Sequence, residues 1–80
     1  MKRPRDLSAR ELVQKLKPLG YRVTRQVGSH MRLTTEVNGQ HHLTIPAHSR
    51  LTIGKVNAVL WELVRHFKRP RAELVELIFD

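Results

Sequence analysis

The chain has 80 residues, 40% of them apolar, which is enough for one folded domain with a small core and too little for a deep cleft between domains. It has no cysteine, so disulfides, thiolate metal sites and a thiol nucleophile are excluded, and no apolar run approaches the ~20 residues of a membrane span. Fifteen Lys and Arg against seven Asp and Glu give a formal charge of +8, a surface suited to a polyanion such as RNA, DNA, an anionic membrane or an acidic protein.

Residues 1–80 are read as one domain. The basic Met1-Lys2-Arg3-Pro4-Arg5 is followed by no apolar stretch, so a secretory signal is not expected and a cytoplasmic location is. Ser8-Ala9-Arg10-Glu11 then forms a capping box, with Leu7 and Leu12 placed as a hydrophobic staple around it. Leu12, Val13, Leu16 and Leu19 give the first helix an apolar face, and Pro18 and Gly20 end it.

Three strands follow. Tyr21 to Val27 alternates, with Tyr21, Val23 and Val27 on one side and Arg22, Thr24 and Gln26 on the other. Gly28-Ser29 marks a turn, His30 to Glu36 alternates around Met31 and Leu33, Asn38-Gly39 marks a second turn, and Gln40 to Pro46 carries Leu43 and Ile45. This is a β-meander.

The buried face selects the register. A two-residue loop at Asn38-Gly39 sets Leu33 against Thr44 and splits the apolar residues between the faces. A three-residue loop, Val37 to Gly39, with Gly39 left-handed, pairs Glu36 with Gln40, Met31 with Ile45 and Leu33 with Leu43. The same reasoning at the first turn pairs Gln26 with His30 and Val23 with Leu33. The outer face is then expected to carry Arg22, Thr24, Gln26, His30, Arg32, Thr34, His42 and Thr44, with no large apolar residue.

A second helix is predicted from about Thr52 to Lys68, with Ile53, Val56, Leu60, Leu63 and Phe67 as its apolar stripe. Arg69-Pro70 interrupts the chain, Pro70 suits a helix start, and Arg71 to Phe79 is a third helix with Leu74, Leu77 and Ile78 apolar. The order α-β-β-β-α-α is an α+β fold. Its helices cover one sheet face and leave the other polar and basic.

Histidines are the candidate chemical groups. His41 is expected to point inward beside Thr35, His66 to favour the negative end of its helix, and His42 to share the face of His30. No carboxylate or thiolate clusters with them, and His41 and His42 point to opposite faces, so no metal site and no cofactor are expected.

A three-stranded meander with two helices on one side is the outline of the double-stranded-RNA-binding fold. Within it, Leu19-Gly20-Tyr21 leads into a strand and Gly28-Ser29-His30 opens the next. Ile45-Pro46-Ala47-His48 closes the third, and a helix with Gly54 near its start follows. In these features the stretch from about Leu12 to Leu63 resembles the HicA family of toxin endoribonucleases, the mRNA interferases that pair with HicB antitoxins. The resemblance implies single-stranded mRNA as substrate, a HicB-like antitoxin as partner and His30 as the catalytic residue. A neutral imidazole suits that role, since it can take the proton of a 2′-hydroxyl that attacks its own phosphate, with no metal.

Around His30, the Gly28 and Ser29 turn can offer backbone N–H groups to a phosphate, and Arg32 shares the His30 face to balance phosphoryl charge. His48 matches the family's Pro-x-His position, as a general acid, as a phosphate ligand or as a residue that shapes its turn. Arg22, Arg50 and Lys55 complete the expected RNA contacts. No membrane contact is expected, and the free protein is read as a monomer. The segment from Ser49 to Ile53 is shorter than is usual in the family, and Arg69 to Asp80 extends past its usual end.

Two other functions fit the charge: a noncatalytic RNA- or DNA-binding module, and an adaptor for an acidic protein. Against the first, the helix opening Thr52-Ile53-Gly54-Lys55 holds one lysine where a double-stranded-RNA binder carries a basic cluster, and the sheet lacks exposed aromatics for base stacking.

Overall fold

The computed structural model describes residues 7–47 and 50–79. Its elements are α1 (Ala9–Leu16) with a 3₁₀ turn at Lys17–Leu19, β1 (Arg22–Val27), β2 (His30–Thr35), β3 (His41–Pro46), α2 (Ile53–Phe67) and α3 (Arg71–Phe79). The α+β class and the double-stranded-RNA-binding order α-β-β-β-α are as expected, with α3 added at the end.

Local chemistry sets the helix ends. The Ser8 hydroxyl accepts the Glu11 N–H at 3.1 Å while the Glu11 carboxylate accepts the Ser8 N–H at 3.2 Å, so the capping box is closed in both directions. Leu7 is buried beside it, and its carbonyl accepts the Leu51 N–H at 2.8 Å, joining the entry of α1 to the approach to α2. At the other end Gly20 is left-handed at φ +85°. Thr52 caps α2 by accepting the Lys55 N–H at 3.1 Å, and Lys68 ends it in the left-handed region.

The sheet is antiparallel in the order β1-β2-β3. Between β2 and β3 the register is the expected one, Met31 opposite Ile45 and Leu33 opposite Leu43. The turn between them places both Asn38 and Gly39 at positive φ, which asparagine tolerates and glycine adopts freely.

Between β1 and β2 the structure departs from expectation. Val23 does face Leu33, but Val27, not Gln26, faces His30, and the register shifts by one residue between Val23 and Arg25. The cause is the length of the first turn. Gly28 at φ +56° allows the two-residue Gly28-Ser29 hairpin whose twist matches the strands, while the buried Tyr21 fixes the inward phase at the start of β1 and so sets Val23 on the Leu33 side. The two demands differ by one residue, and a bulge at Thr24 absorbs it. Beyond the bulge the faces exchange. Arg25 and Val27 move to the outer face, opposite Arg32 and His30, and Gln26 moves to the Met31 side. Val27, 59% exposed, is thus a large apolar residue on the face expected to have none.

The core lies on the other side. Leu33, Leu43 and Ile45 of the sheet pack with Leu12, Leu16 and Leu19, with Val56, Val59, Leu60 and Leu63 of α2, and with Leu74, Ile78 and Phe79 of α3. Val59 joins the expected α2 stripe. Ile53, its first residue, is 52% exposed because it sits at the helix start, beyond the covered part of the face. α3 packs against α1 and α2, where Arg71 donates to Asn57 Oδ1 at 2.8 Å and lies 5.2 Å from the centroid of the Trp61 ring.

One close approach ties these parts together. The fully buried Thr35 hydroxyl donates to the Leu19 carbonyl at 2.7 Å and accepts the Val37 N–H at 3.1 Å. A Cβ on Gly20 would stand 2.6 Å from that hydroxyl and 2.7 Å from Val37 Cγ2. Gly20→Ala therefore combines a disfavoured backbone with a clash and is expected to destabilise by about 1–3 kcal/mol, read as a lowered melting temperature. Gly54→Ala, whose Cβ meets nothing within 4 Å, should instead stabilise by about 0.4–1 kcal/mol and raise the melting temperature. Equal effects from the two substitutions would refute the packing argument.

Candidate functional site

The outer sheet face is arranged in rungs. β2 presents His30, Arg32 and Thr34; β3 sets Pro46, Thr44 and His42 opposite them; β1 sets Val27 against His30 and Arg25 against Arg32. His30 is exposed and is the first residue after the Gly28-Ser29 turn, both of whose residues are also exposed. Arg25, Val27, His30, Arg32 and Thr44 line a shallow depression of about 180 Å³. The Ala47 N–H donates to the Ser29 carbonyl at 2.6 Å, so the chain leaving β3 is held beside the turn that carries His30.

The sequence-derived residues fall into three groups. His30 and Arg32 share the depression, with Gly28 and Ser29 beside it. Arg22 is on the same face opposite Thr34, at the far end of β2 from His30, ~13 Å along the strand. Arg50 precedes α2 and Lys55 lies in its first turn; neither lines the depression. His48 lies outside the described residues. Arg25 was missed, although strict alternation from Tyr21 and Val23 would bury it under the helices. An arginine in an otherwise inward phase is itself a sign of a bulge.

Further along the face the side chains bond to one another. Thr34 Oγ1, 4% exposed as a residue, lies 2.8 Å from His42 Nδ1 and 2.8 Å from Thr24 Oγ1, and the Thr24 hydroxyl reaches the Arg32 carbonyl at 3.4 Å. Thr24 is the bulge residue, so this chain of contacts pins the bulge to β2.

His41 and His66 belong to the opposite side. His41 points inward as expected, its Nδ1 2.7 Å from the Tyr21 hydroxyl and its Nε2 3.6 Å from Glu62 Oε1. Its ring stacks on His66 at 4.5 Å between centroids. His66 Nε2 is 2.9 Å from the Val37 carbonyl and so donates to it, and Asn38 Nδ2 donates to the His66 carbonyl at 2.7 Å. This cluster fastens the β2–β3 turn to the end of α2. Burial, with the neighbouring His66, lowers the His41 pKa, against the pull of Glu62, and burial followed by Glu62 raises that of Tyr21. Among the described residues no three His, Cys, Asp or Glu side chains are grouped to hold a metal ion, and no helix is long and apolar enough to cross a membrane.

Fold and face together define a class: a small basic α+β domain of double-stranded-RNA-binding outline whose open sheet face carries an exposed histidine beside arginines. The family model for the HicA toxin of bacterial toxin–antitoxin matches residues 9–64, and the chain belongs to that family. Neither a curated protein nor a solved structure gives a match. The matched stretch holds the whole sheet, α1 and most of α2, and leaves α3 outside it.

The His41 cluster has a pH consequence. Its pKa is lowered from 6.5 in the folded protein, so below about pH 6.5 the unfolded chain binds the proton more readily. The stability it contributes is complete above that pH and is lost as pH falls toward the folded value. The melting temperature is expected to drop between about pH 7 and pH 5, and His41→Gln to flatten the drop. An unchanged profile in that variant would assign the drop to other groups.

Proposed function

We propose that this HicA-family chain is an endoribonuclease, an mRNA interferase, that cuts mRNA on its open sheet face with His30 as acid–base residue and is neutralised by a HicB-like antitoxin. The observation that carries the reading is the exposed His30 at the rim of a depression it shares with Arg32 and Thr44, directly after the Gly28-Ser29 turn.

The chemistry needs one proton taken and one returned. The neutral imidazole of His30 takes the proton of a ribose 2′-hydroxyl, and the resulting oxygen attacks the adjacent phosphorus. The bond to the 5′-oxygen breaks, leaving a 2′,3′-cyclic phosphate and a 5′-hydroxyl. His48, by its Pro-x-His placement, is assigned the proton for the leaving oxygen. Arg32 balances the charge that builds on the phosphoryl oxygens, the N–H groups of Gly28 and Ser29 add to it, and Arg22, Arg50 and Lys55 bind flanking RNA. The route uses no metal and no cofactor, and the setting is the cytoplasm, where the free toxin is a monomer. The antitoxin has to cover the same basic face, so its matching surface is acidic and its association slows with added salt.

The test is product-end analysis of RNA treated with the wild type and with His30→Ala, with and without EDTA. Cleavage by the wild type should persist in EDTA and leave cyclic-phosphate ends. His30→Ala should abolish it while shifting stability by less than ~0.5 kcal/mol, since the side chain is exposed. Cleavage retained in a well-folded His30→Ala variant would remove His30 from the mechanism. RNA binding by the wild type with no cleavage would leave the noncatalytic module instead.

A further inference from the structure

The bulge at Thr24 creates an arrangement that the sheet alone would avoid. It sets Arg25 directly opposite Arg32 on one face, and like charges directly opposite each other destabilise an antiparallel pair. Among the described residues neither guanidinium has an ion-pair or hydrogen-bond partner that would offset this. The placement is nonetheless built in. Thr24 bonds to the Arg32 carbonyl and to Thr34, and Thr34 to His42, so β1 is held one residue out of phase just where Arg25 must turn outward. Both arginines open onto the depression that holds His30 and the Thr44 side chain. An uncompensated pair of cations in a fixed frame is a site for an anion. Guanidinium groups present paired N–H donors that match two oxygens of one phosphate, and two guanidiniums can hold the non-bridging oxygens from opposite sides.

We propose that Arg25 and Arg32 form a two-arginine clamp for one phosphodiester, and that the Thr24 bulge is the device that brings Arg25 into it. The clamp deepens the ribonuclease reading of this face and rests on it for the identity of the ligand as RNA. It seats a phosphate beside His30, so that an adjacent ribose 2′-hydroxyl lies at the imidazole. Arg25 and Arg32 act on the same group, so neither is effective alone.

The test separates the clamp from catalysis by using probes that cannot be cut: inorganic phosphate, and a single-stranded oligodeoxynucleotide, which lacks the attacking hydroxyl. At matched ionic strength, phosphate should raise the melting temperature of the wild type above its value in chloride. Arg25→Gln and Arg32→Gln should each abolish that gain, and at low salt each should melt above the wild type because the repulsion is gone. Oligodeoxynucleotide affinity should fall about ten- to a hundredfold in each single variant, with little further loss in the double variant. Arg25→Lys, which keeps the charge without the planar fork, should recover only part of it. Losses that multiply in the double variant, or phosphate stabilisation that survives Arg25→Gln, would overturn the clamp. If both probes bind through the arginine pair while RNA is never cut, the clamp stands and the ribonuclease reading falls. If Arg25→Gln cuts RNA at the wild-type rate, the clamp falls and that reading stands.

Discussion

A mismatch of one residue between a turn and the inward phase set at the start of β1 governs the open face. The buried Tyr21 fixes the inward phase at the start of β1 and so sets Val23 opposite Leu33, and the Gly28-Ser29 hairpin closes in two residues, so the strand between cannot satisfy both in unbroken alternation. The Thr24 bulge resolves the conflict at the edge of the sheet, where a bulge disturbs one ladder only. Its consequence is chemical as well as geometric. Without it Gln26 would stand beside His30, Arg25 would lie under the helices, and the charge beside the histidine would be that of Arg32 alone.

The same division of faces separates the histidines into two kinds. His41 of β3 and His66 of α2, on the helix side of the sheet, are held by Tyr21, Glu62 and the Val37 carbonyl and stacked on each other. Both rings are half-buried and have their hydrogen-bonding nitrogens engaged within the fold. They share the work of closing the β2–β3 turn with Thr35, whose buried hydroxyl requires Gly20 to have no side chain. Among the described residues His30 has no such partners, and it is exposed, so packing gives no reason for an imidazole there. An exposed ring at the mouth of a basic depression has its interactions available for a ligand.

Much of this was legible in the residues. The capping box, the staple, the Gly20 stop, the bounds of α3 and the β2–β3 register follow from local chemistry and from the need to bury Leu33 and Leu43 together. The turn at Gly28-Ser29 was legible as a turn but not in its length, because Gly-Ser fits loops of two or three residues and the apolar pattern of β1 is short and interrupted. Val27 and Gln26 are therefore expected on the wrong sides, and Arg25 on neither. Exposure at helix ends was also hidden, since periodicity places Ile53 in the stripe and only the tertiary packing shows that coverage stops before it. The role of His48 rests on its placement in Pro-x-His alone.

The position of the site follows from the size of the core. A domain this small can bury its apolar surface only by setting every helix on one face of its single sheet. α3, beyond the family match, obeys the same rule, burying Leu74, Ile78 and Phe79 against α1 and α2 and adding nothing to the opposite face. The face left over is shallow, and a depression of about 180 Å³ encloses no more than a small part of a ligand. Affinity on such a surface comes from charge repeated along it rather than from burial, which suits an extended polyanion. Selectivity for one bond of that polymer then has to come from a place where the spacing of charge is fixed. On this sheet that place is where the bulge holds two arginines across from each other, one rung from His30.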